Sequence, residues 1–383
     1  MISKNRRNLF IGRVALGSLL GDTGEARVVA GPIRLRTWEE TVIHQRLTHS
    51  GTAQRNWDRR EFLKTSASWA TTVGALPLAL ALGRRAVAAP RTARPVIDTH
   101  MHVWANDPQR YPFTHPYVKN YQGMPHDGTV ELLIEDMDRH GCTHCVLVQT
   151  ICHGWDNTYL ADCVKRFPER FKGHGLIDPT DAKVADKLEY WTKEHGLHGM
   201  RFSPIYYRNG NEGGDGWIDA EETHRLWRKA RELRSVFNFY IAPAQLPRLG
   251  NMVQSHPEVR VVIDHLSQMD LGAENPEPDF RLLLAMAKYP NLWVKVSELS
   301  SVSKSRAYPF RDAYPYVKRV YEAFGPDRLL FGTGYPGAAR AAYQRPTLVE
   351  EIDLIDREMP FFTKEDRGKI LGRNAAKLWD FKT

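Results

Sequence analysis

The chain has 383 residues, 42 % of them hydrophobic, and a formal net charge of +8. Residues 1–89 hold 14 Lys and Arg against six Asp and Glu, so the whole basic surplus belongs to this first part. The remaining residues are electrically balanced, with 39 basic and 39 acidic side chains. Nucleic-acid binding by the larger part therefore lacks the basic surface that it requires.

The end of the basic region has the layout of a targeting sequence. Paired arginines stand in the run 58–64, an apolar stretch follows at 69–82, and a small-x-small tripeptide stands at 86–88. This layout resembles a twin-arginine (Tat) export signal, with Asp58 where such signals usually carry Ser or Thr. The resemblance implies a partner, the Tat export machinery, and a periplasmic or extracellular location. The alternative interpretation is an uncleaved membrane anchor, for which 69–82 is short.

Three segments are therefore predicted along the chain. Residues 1–57 are expected to be a disordered N-terminal extension, and residues 58–89 a signal peptide. Residues 90–383 are expected to form the folded part that binds a small-molecule substrate. Oligomeric state does not follow from the pattern.

After residue 90 the chain alternates eight times between short β-branched runs and longer amphipathic runs. Predicted strands cover 96–103, 143–149, 172–177, 198–203, 236–242, 259–265, 291–297 and 328–333. Predicted helices cover 129–140, 156–167, 181–195, 220–234, 245–255, 278–288, 312–324 and 347–357, with a closing C-terminal helix at 364–380. Eight strand–helix units indicate an α/β fold, a (β/α)8 TIM barrel. The alternative is a doubly wound sheet with fewer strands.

The first predicted strand contains a His-x-His pair. Side chains two apart on a strand point to the same face, so His100 and His102 are expected to project together, with Asp98 on the same side. Two convergent imidazoles suit metal binding or proton transfer. The alternative is a pair of core histidines that are hydrogen-bonded to the backbone.

Other polar side chains fall at the C-terminal ends of predicted strands, where barrel enzymes place their active sites. They are Gln149 after strand 2, Arg201 and Ser203 on strand 4, Asp264 and His265 on strand 6, and Lys295, Ser297 and Glu298 on strand 7. Chance would scatter such residues over both ends of the barrel. We therefore expect one functional site at this mouth.

Five short motifs resemble the amidohydrolase-related (amidohydrolase 2) family, over roughly residues 95–380. They are Asp98-Thr99-His100-Met101-His102, Gly199-Met200-Arg201-Phe202, Val262-Ile263-Asp264-His265-Leu266, Val294-Lys295-Val296-Ser297 and Arg328-Leu329-Leu330-Phe331-Gly332. The Asp-His-Leu motif looks most like the branch containing pyrone-dicarboxylate and sugar lactonases. Members of that branch hydrolyse cyclic esters, some of them without a bound metal.

Two positions depart from the family pattern. In the wider family the strand 1 histidines, a strand 5 histidine and a strand 8 aspartate bind a divalent metal, and the aspartate activates water. The strand 5 position here holds Ala242, a loss that is common in the lactonase branch. The family's Gly-Ser-Asp-Trp-Pro reads Gly-Thr-Gly-Tyr-Pro at 332–336, so Gly334 stands where the general base is expected.

Three hypotheses account for Gly334. In the first, Glu298 replaces the lost aspartate and joins His100, His102 and His265 as ligands of zinc or manganese. In the second, the protein is metal-free, and Glu298 or a histidine activates water. In the third, the barrel is catalytically retired and binds a ligand. Restoring Asp at Gly334 is expected to raise the activity of a degenerate enzyme.

Together with the residues at the strand ends, the resemblance implies an exported hydrolase that opens a lactone by activated water. Glu298 and His265 are the predicted catalytic residues. Arg201, Lys295 and Gln149 are predicted to bind the substrate, since a guanidinium holds a carboxylate well. The expected substrate is a small acidic lactone or one derived from a sugar.

Overall fold

The computed structural model of the protein describes residues 94–383 apart from Tyr335, with side chains described for all of these except residues 208–212. The predicted extension at 1–57 and the predicted signal peptide at 58–89 lie outside the described residues. Within the described part, no helix is both long enough and apolar enough to cross a membrane.

Eight parallel strands form one sheet in the order of the chain, and they curve into a nearly closed barrel. The strands are β1 Ile97–Met101, β2 His144–Val148, β3 Phe171–Leu176, β4 Gly199–Phe202, β5 Val236–Phe239, β6 Arg260–Ile263, β7 Leu292–Val296 and β8 Leu329–Phe331. Each strand pairs in parallel with the next one along the chain, as right-handed strand–helix–strand units require. The predicted (β/α)8 barrel is confirmed, and the doubly wound alternative is wrong.

Helices lie between the strands and cover the outside of the barrel. They are α1 Val130–His140, α2 Thr158–Arg166, α3 Val184–Lys193, α4 Thr223–Leu233, α5 Leu246–Ser255, α6 Glu277–Ala285, α7 Leu299–Val302, α8 Tyr314–Phe324, α9 Leu348–Asp353, α10 Lys364–Gly368 and α11 Asn374–Trp379. Two π-helical turns, Leu354–Glu358 and Lys369–Arg373, extend α9 and join α10 to α11. The predicted closing helix is therefore three consecutive helical pieces.

The C-terminal residues close the end of the barrel at which the strands begin. Leu378 and Trp379 pack against inward-facing side chains of the strands, among them Ile97 and Val236. The indole nitrogen of Trp379 donates a hydrogen bond to Nε2 of His174, 2.7 Å away inside the barrel. Because this end is filled, the opposite mouth, at the C-terminal ends of the strands, is left to carry the site.

Side-chain and loop hydrogen bonds join the first strand to the last. The hydroxyl of Thr99 donates to the carbonyl oxygen of Phe331 at 2.7 Å. One carboxylate oxygen of Asp98 accepts from the backbone N–H groups of His100 at 2.8 Å and Thr333 at 3.1 Å. Asp98 is thus a structural residue that brings the end of β8 beside the histidine pair, and burial raises its pKa to about 6.

Candidate active site

The histidine pair stands at the C-terminal end of β1, and its two rings meet. Nε2 of His100 lies 3.2 Å from Nε2 of His102, and both side chains are buried. Nδ1 of His102 donates to the carbonyl oxygen of Val148 at 2.7 Å, so its Nε2 carries the lone pair in the neutral ring. Burial, with Arg201 nearby, lowers the pKa of His102 to about 3, which keeps the ring neutral and able to accept.

A turn of unusual backbone geometry follows β6 and supplies the third imidazole. The four residues from His265 to Gln268 all have φ between 48° and 61°, in the left-handed region that non-glycine residues rarely adopt. Nδ1 of His265 hydrogen-bonds the hydroxyl of Ser297 at 2.8 Å. Its Nε2 lies 3.6 Å from Oε1 of Glu298. Strain held in consecutive residues is typical of functional sites, where the surrounding structure enforces it.

The three imidazoles share one arrangement, in which Nδ1 is tied to the protein and Nε2 faces the site. For His100, the Lys295 ammonium donates to Nδ1 at 3.1 Å, and Oδ1 of Asp264 lies 3.4 Å from the same atom. Nδ1 of His100 therefore has a partner in either tautomer: it accepts from Lys295 when it is unprotonated and donates to Asp264 when it is protonated. The His100 and His265 rings lie 4.3 Å apart, centroid to centroid. Metal-binding histidines are usually anchored in this way through their second nitrogen.

A buried ion cluster underlies the histidines. Nζ of Lys295 lies 2.9 Å from Oδ1 of Asp264, and Nε of Arg201 lies 3.5 Å from Oδ2. Lys295 holds the pKa of Asp264 well below its usual range, against the effect of burial. Burial lowers the pKa of Lys295 itself, and Asp264 opposes that shift. One carboxylate thus balances two cations that would otherwise be costly to bury.

Glu298 lies at the end of β7, one residue before α7, with a left-handed backbone (φ 49°). Its Oε2 accepts hydrogen bonds from Nε2 of Gln268 at 3.4 Å and from the hydroxyl of Ser301 at 3.3 Å. A Cβ atom at Gly334 would lie less than 3.0 Å from three side-chain atoms of Glu298. The carboxylate therefore fills the space beside strand 8 that a side chain at position 334 would occupy.

The remaining predicted substrate-binding residues lie at different depths. Arg201 lines a narrow cleft and stacks its guanidinium over Tyr240, 4.5 Å from the ring centroid. The aromatic walls of this cleft are Tyr117, Trp155, Phe202, Tyr206 and Tyr207. Lys295 is fully buried below the histidines, and Gln149 is fully buried with its amide nitrogen donating to the carbonyl oxygen of Asp156 at 2.9 Å.

Two sets of residues at the site have the chemistry of a cation site. Among the described residues, one donor atom each of His100, Asp264 and His265 lie within 4.8 Å of one another. Lys295 already contacts two of these three residues, so a divalent ion there would meet its ammonium group.

On the Nε2 side of the imidazoles, two pairs of donor atoms have separations close to those of a zinc site. Tetrahedral zinc with bonds of about 2.0–2.1 Å has ligand atoms roughly 3.4 Å apart. The separations of 3.2 Å between the Nε2 atoms of His100 and His102, and 3.6 Å between His265 and Glu298, lie on either side of that value. Each pair has suitable spacing, but among the described residues the three donors that come within 4.8 Å of one another are those of His100, Asp264 and His265, so the predicted set of His100, His102, His265 and Glu298 is not brought together as one site.

Some residues of the site do not stand out in the sequence. Asp264 is visible at the end of strand 6, but its part as the shared counter-ion of Lys295 and Arg201 is decided by burial. Gln268 and Ser301 contact Glu298 and carry no motif. The only local signal is spacing: Gln268 lies three positions after His265, and Ser301 lies three positions after Glu298.

A (β/α)8 barrel whose C-terminal mouth carries anchored imidazoles and a buried carboxylate has the layout of a barrel enzyme's active site. The sequence profile of the amidohydrolase family (amidohydrolase 2) matches residues 97–381, and the chain belongs to this family. It is therefore a hydrolase, and the resemblance found in its motifs is confirmed.

Known proteins similar to this chain in sequence or structure include lactone hydrolases and an amidohydrolase. The chain is 28 % identical to 4-sulfomuconolactone hydrolase of Rhizobium radiobacter and 26 % identical to 2-pyrone-4,6-dicarboxylate hydrolase of Comamonas testosteroni. Each alignment covers 74 % of this chain and 89 % of the relative. A Burkholderia multivorans amidohydrolase crystallised with bound zinc shares the fold, with TM-score 0.62, 19 % identity, and coverage of 75 % of this chain and all of that one.

Proposed function

We propose that the protein hydrolyses the ester bond of a small lactone, with Glu298 as the base that activates water. The position of Glu298 carries this proposal, because its carboxylate fills the space next to Gly334, where the family pattern places its aspartate. The retired-barrel hypothesis rested on a missing carboxylate, and Glu298 removes that reason. The relatives that cleave lactones support the choice of bond.

In the proposed step, Glu298 takes a proton from water while the water oxygen attacks the lactone carbonyl carbon. The carbonyl oxygen gains negative charge, which the guanidinium of Arg201 stabilises from the cleft. The ring C–O bond then breaks, and the leaving oxygen takes a proton. When no ion occupies the site, His265, 3.6 Å from Glu298, is placed to pass that proton on. Water is consumed, and a hydroxy acid is released.

Imidazole and carboxylate groups are ligands that zinc and manganese accept, and these are the expected metals. The predicted ligands are His100, His102, His265 and Glu298, and when bound the ion supplies Lewis acidity and lowers the pKa of water. Lys295 and Asp264 keep His100 oriented whether or not the ion is present. The metal-free hydrolase of the second hypothesis uses the same base and the same imidazoles.

The cleft supports a substrate that is small, flat and anionic. Among the described residues that line the cleft, Arg201 is the only cationic side chain. It can pair with one carboxylate of the substrate. Aromatic walls stack on planar rings, and also on the apolar faces of sugars. An acidic unsaturated lactone fits both features. A sugar-derived lactone would use the tyrosine hydroxyls and Ser203 instead.

The predicted signal peptide, residues 58–89, supports a location outside the cytoplasm. We propose that the Arg59–Arg60 pair and the apolar stretch 69–82 direct Tat export, with cleavage near residue 89. Fractionation of cells carrying the full chain tests this proposal, with Arg59→Lys/Arg60→Lys as the matched variant. Equal amounts of the two proteins in the exported fraction would contradict it.

The function is tested by screening purified protein against acidic and sugar lactones at pH 7, with ring opening followed by acid release. We expect turnover of at least one class and its loss in Glu298→Gln, which keeps the side-chain shape but cannot accept a proton. Glu322→Gln, on exposed helix α8, is the matched control and should leave the rate unchanged. Full activity in Glu298→Gln would reject Glu298 as the base.

A further inference from the structure

The carboxylate of Glu298 is held on one side by hydrogen-bond donors and faces His265 with its other oxygen. Gln268 and Ser301 both donate to Oε2, while Oε1 lies toward Nε2 of His265. The backbone N–H of Ser301 also donates to the carbonyl oxygen of Glu298 at 2.8 Å, which fixes the two residues relative to each other. The orientation of the carboxylate therefore depends on the donors at Oε2.

A cation from another loop reaches the same hydroxyl. Arg345 lies between β8 and α9, far from Ser301 in the chain. One terminal nitrogen of its guanidinium donates to the hydroxyl oxygen of Ser301 at 3.1 Å, and the other donates to the hydroxyl of Ser300. The guanidinium thus ties the loop after β8 to the first turn of α7.

The direction of this chain of hydrogen bonds is set by chemistry. A guanidinium has donors and no acceptor, so the oxygen of Ser301 must accept from Arg345. The single proton of that hydroxyl is then directed to Glu298, whose ionised carboxylate can only accept. Hydrogen bonds that end on charged groups are stronger than neutral ones, and linked bonds polarise one another.

We propose that Arg345 is a positioning residue for Glu298. Through the Ser301 hydroxyl it holds Oε2, so that Oε1 is presented to the water and to His265. Gly334 has no side chain that could hold the carboxylate from the strand 8 side, so without the Arg345–Ser301 link the carboxylate can turn away from His265. This inference rests on the proposed role of Glu298 as the base.

Four variants separate positioning from general stability. Ser301→Ala and Arg345→Gln break the link at different points, and each should lower kcat 10- to 100-fold with KM within about twofold of wild type, since a hydrogen bond to a charged group is lost. Ser301→Thr keeps the hydroxyl and should restore most of kcat. Arg345→Lys keeps one donor and the charge, and should restore part of it.

The control is Arg311→Gln, which removes an exposed arginine that pairs with Glu358 at 3.1 Å. It should leave both kinetic constants unchanged, and thermal unfolding of every variant shows whether the fold persists. Should Arg345→Gln fail to fold, Ser301→Ala tests the same link. Unchanged kcat in Ser301→Ala, with an active wild type, would overturn the inference.

An inactive wild type would refute the proposed function and not this inference, which also has a structural readout. Crystal structures of wild type and Ser301→Ala then decide it. A Glu298 carboxylate that turns away from His265 in the variant supports the link. A carboxylate in the same place in both crystals overturns it.

Discussion

The side chain of Glu298 occupies the space that a side chain at position 334 would need. A Cβ atom at Gly334 would lie less than 3.0 Å from Oε1, Cγ and Cδ of Glu298, and Gly334 also has φ 97°, which side chains rarely adopt. With Glu298 in this conformation, position 334 has no room for a side chain. Glycine at 334 leaves room for glutamate at 298, so the carboxylate missing from strand 8 and the carboxylate after strand 7 are interpreted as a single exchange.

The exchange corrects an expectation from the sequence. Restoring Asp at Gly334 alone should not raise activity, because the new side chain would collide with Glu298. We expect Gly334→Asp to lower the free energy of unfolding by about 2–4 kcal/mol through overpacking and backbone strain, and to lower turnover. Urea unfolding and lactone turnover of the purified variant measure the two effects.

The double variant Glu298→Gly/Gly334→Asp places the carboxylate on strand 8 with room to fit. It should be more stable than Gly334→Asp and regain part of the activity that Glu298→Gly alone lacks. Gly334→Ala is the control for the collision without a charge. Effects that simply add, in stability and in rate, would show that the two positions are independent.

The metal content of the purified protein tests the predicted ligand set. We expect about one zinc or manganese ion per chain after purification without chelators, and its loss in the double variant His100→Ala/His102→Ala. Elemental analysis by mass spectrometry gives the count. Wild-type protein that binds no divalent ion when it is added back would favour the metal-free hydrolase, which keeps Glu298 as the base.

The buried ion cluster predicts unequal costs for its members. Asp264→Asn leaves Lys295 and Arg201 without their shared carboxylate and should cost roughly 3–5 kcal/mol of unfolding free energy. Lys295→Met leaves Asp264 paired with Arg201 and should cost less.

Chemical unfolding of both variants and their double variant gives these values. The double variant Asp264→Asn/Lys295→Met should lose less unfolding free energy than the two single variants lose together. Lys318→Gln, in an exposed pair on α8, is the control and should change stability by under about 1 kcal/mol. Equal costs for Asp264→Asn and Lys295→Met would contradict a shared counter-ion.

Glu351 predicts a pH dependence of stability away from the site. It is buried on α9, and burial raises its pKa from 4.5 to about 8, against the charges of Arg340 and Arg345. The folded state keeps a proton that the unfolded chain releases, so the contribution of Glu351 is fully present below pH 4.5 and is lost as pH rises through 8.

Glu351→Gln removes this loss. The stability of the variant relative to wild type should therefore grow between pH 4.5 and 8, by up to roughly 5 kcal/mol, and stay constant above that range. Unfolding free energies measured at several pH values test this. Glu322→Gln, with an exposed carboxylate, is the matched control, and a difference for Glu351→Gln that does not vary with pH would refute the prediction.

The alternation of the sequence was enough to predict the barrel and the pairing of its histidines. Period-2 spacing places His100 and His102 on one face, and their Nε2 atoms meet at 3.2 Å. The placement of strand ends was less predictable. Strand β6 ends at Ile263, because the residues from His265 onward turn into left-handed backbone that hydrophobic pattern does not encode.

The sequence by itself determined the eight strand–helix units, the end of the barrel that carries the site, and the set of polar residues gathered there. These depend on local periodicity and on a rule of barrel architecture. Only the tertiary structure decided that Glu298 fills the space beside Gly334, that Lys295 is buried against Asp264, and that Arg345 reaches Ser301. Those contacts join residues that are distant in sequence, and close packing across the barrel, not the spacing along any one strand, sets which atoms meet.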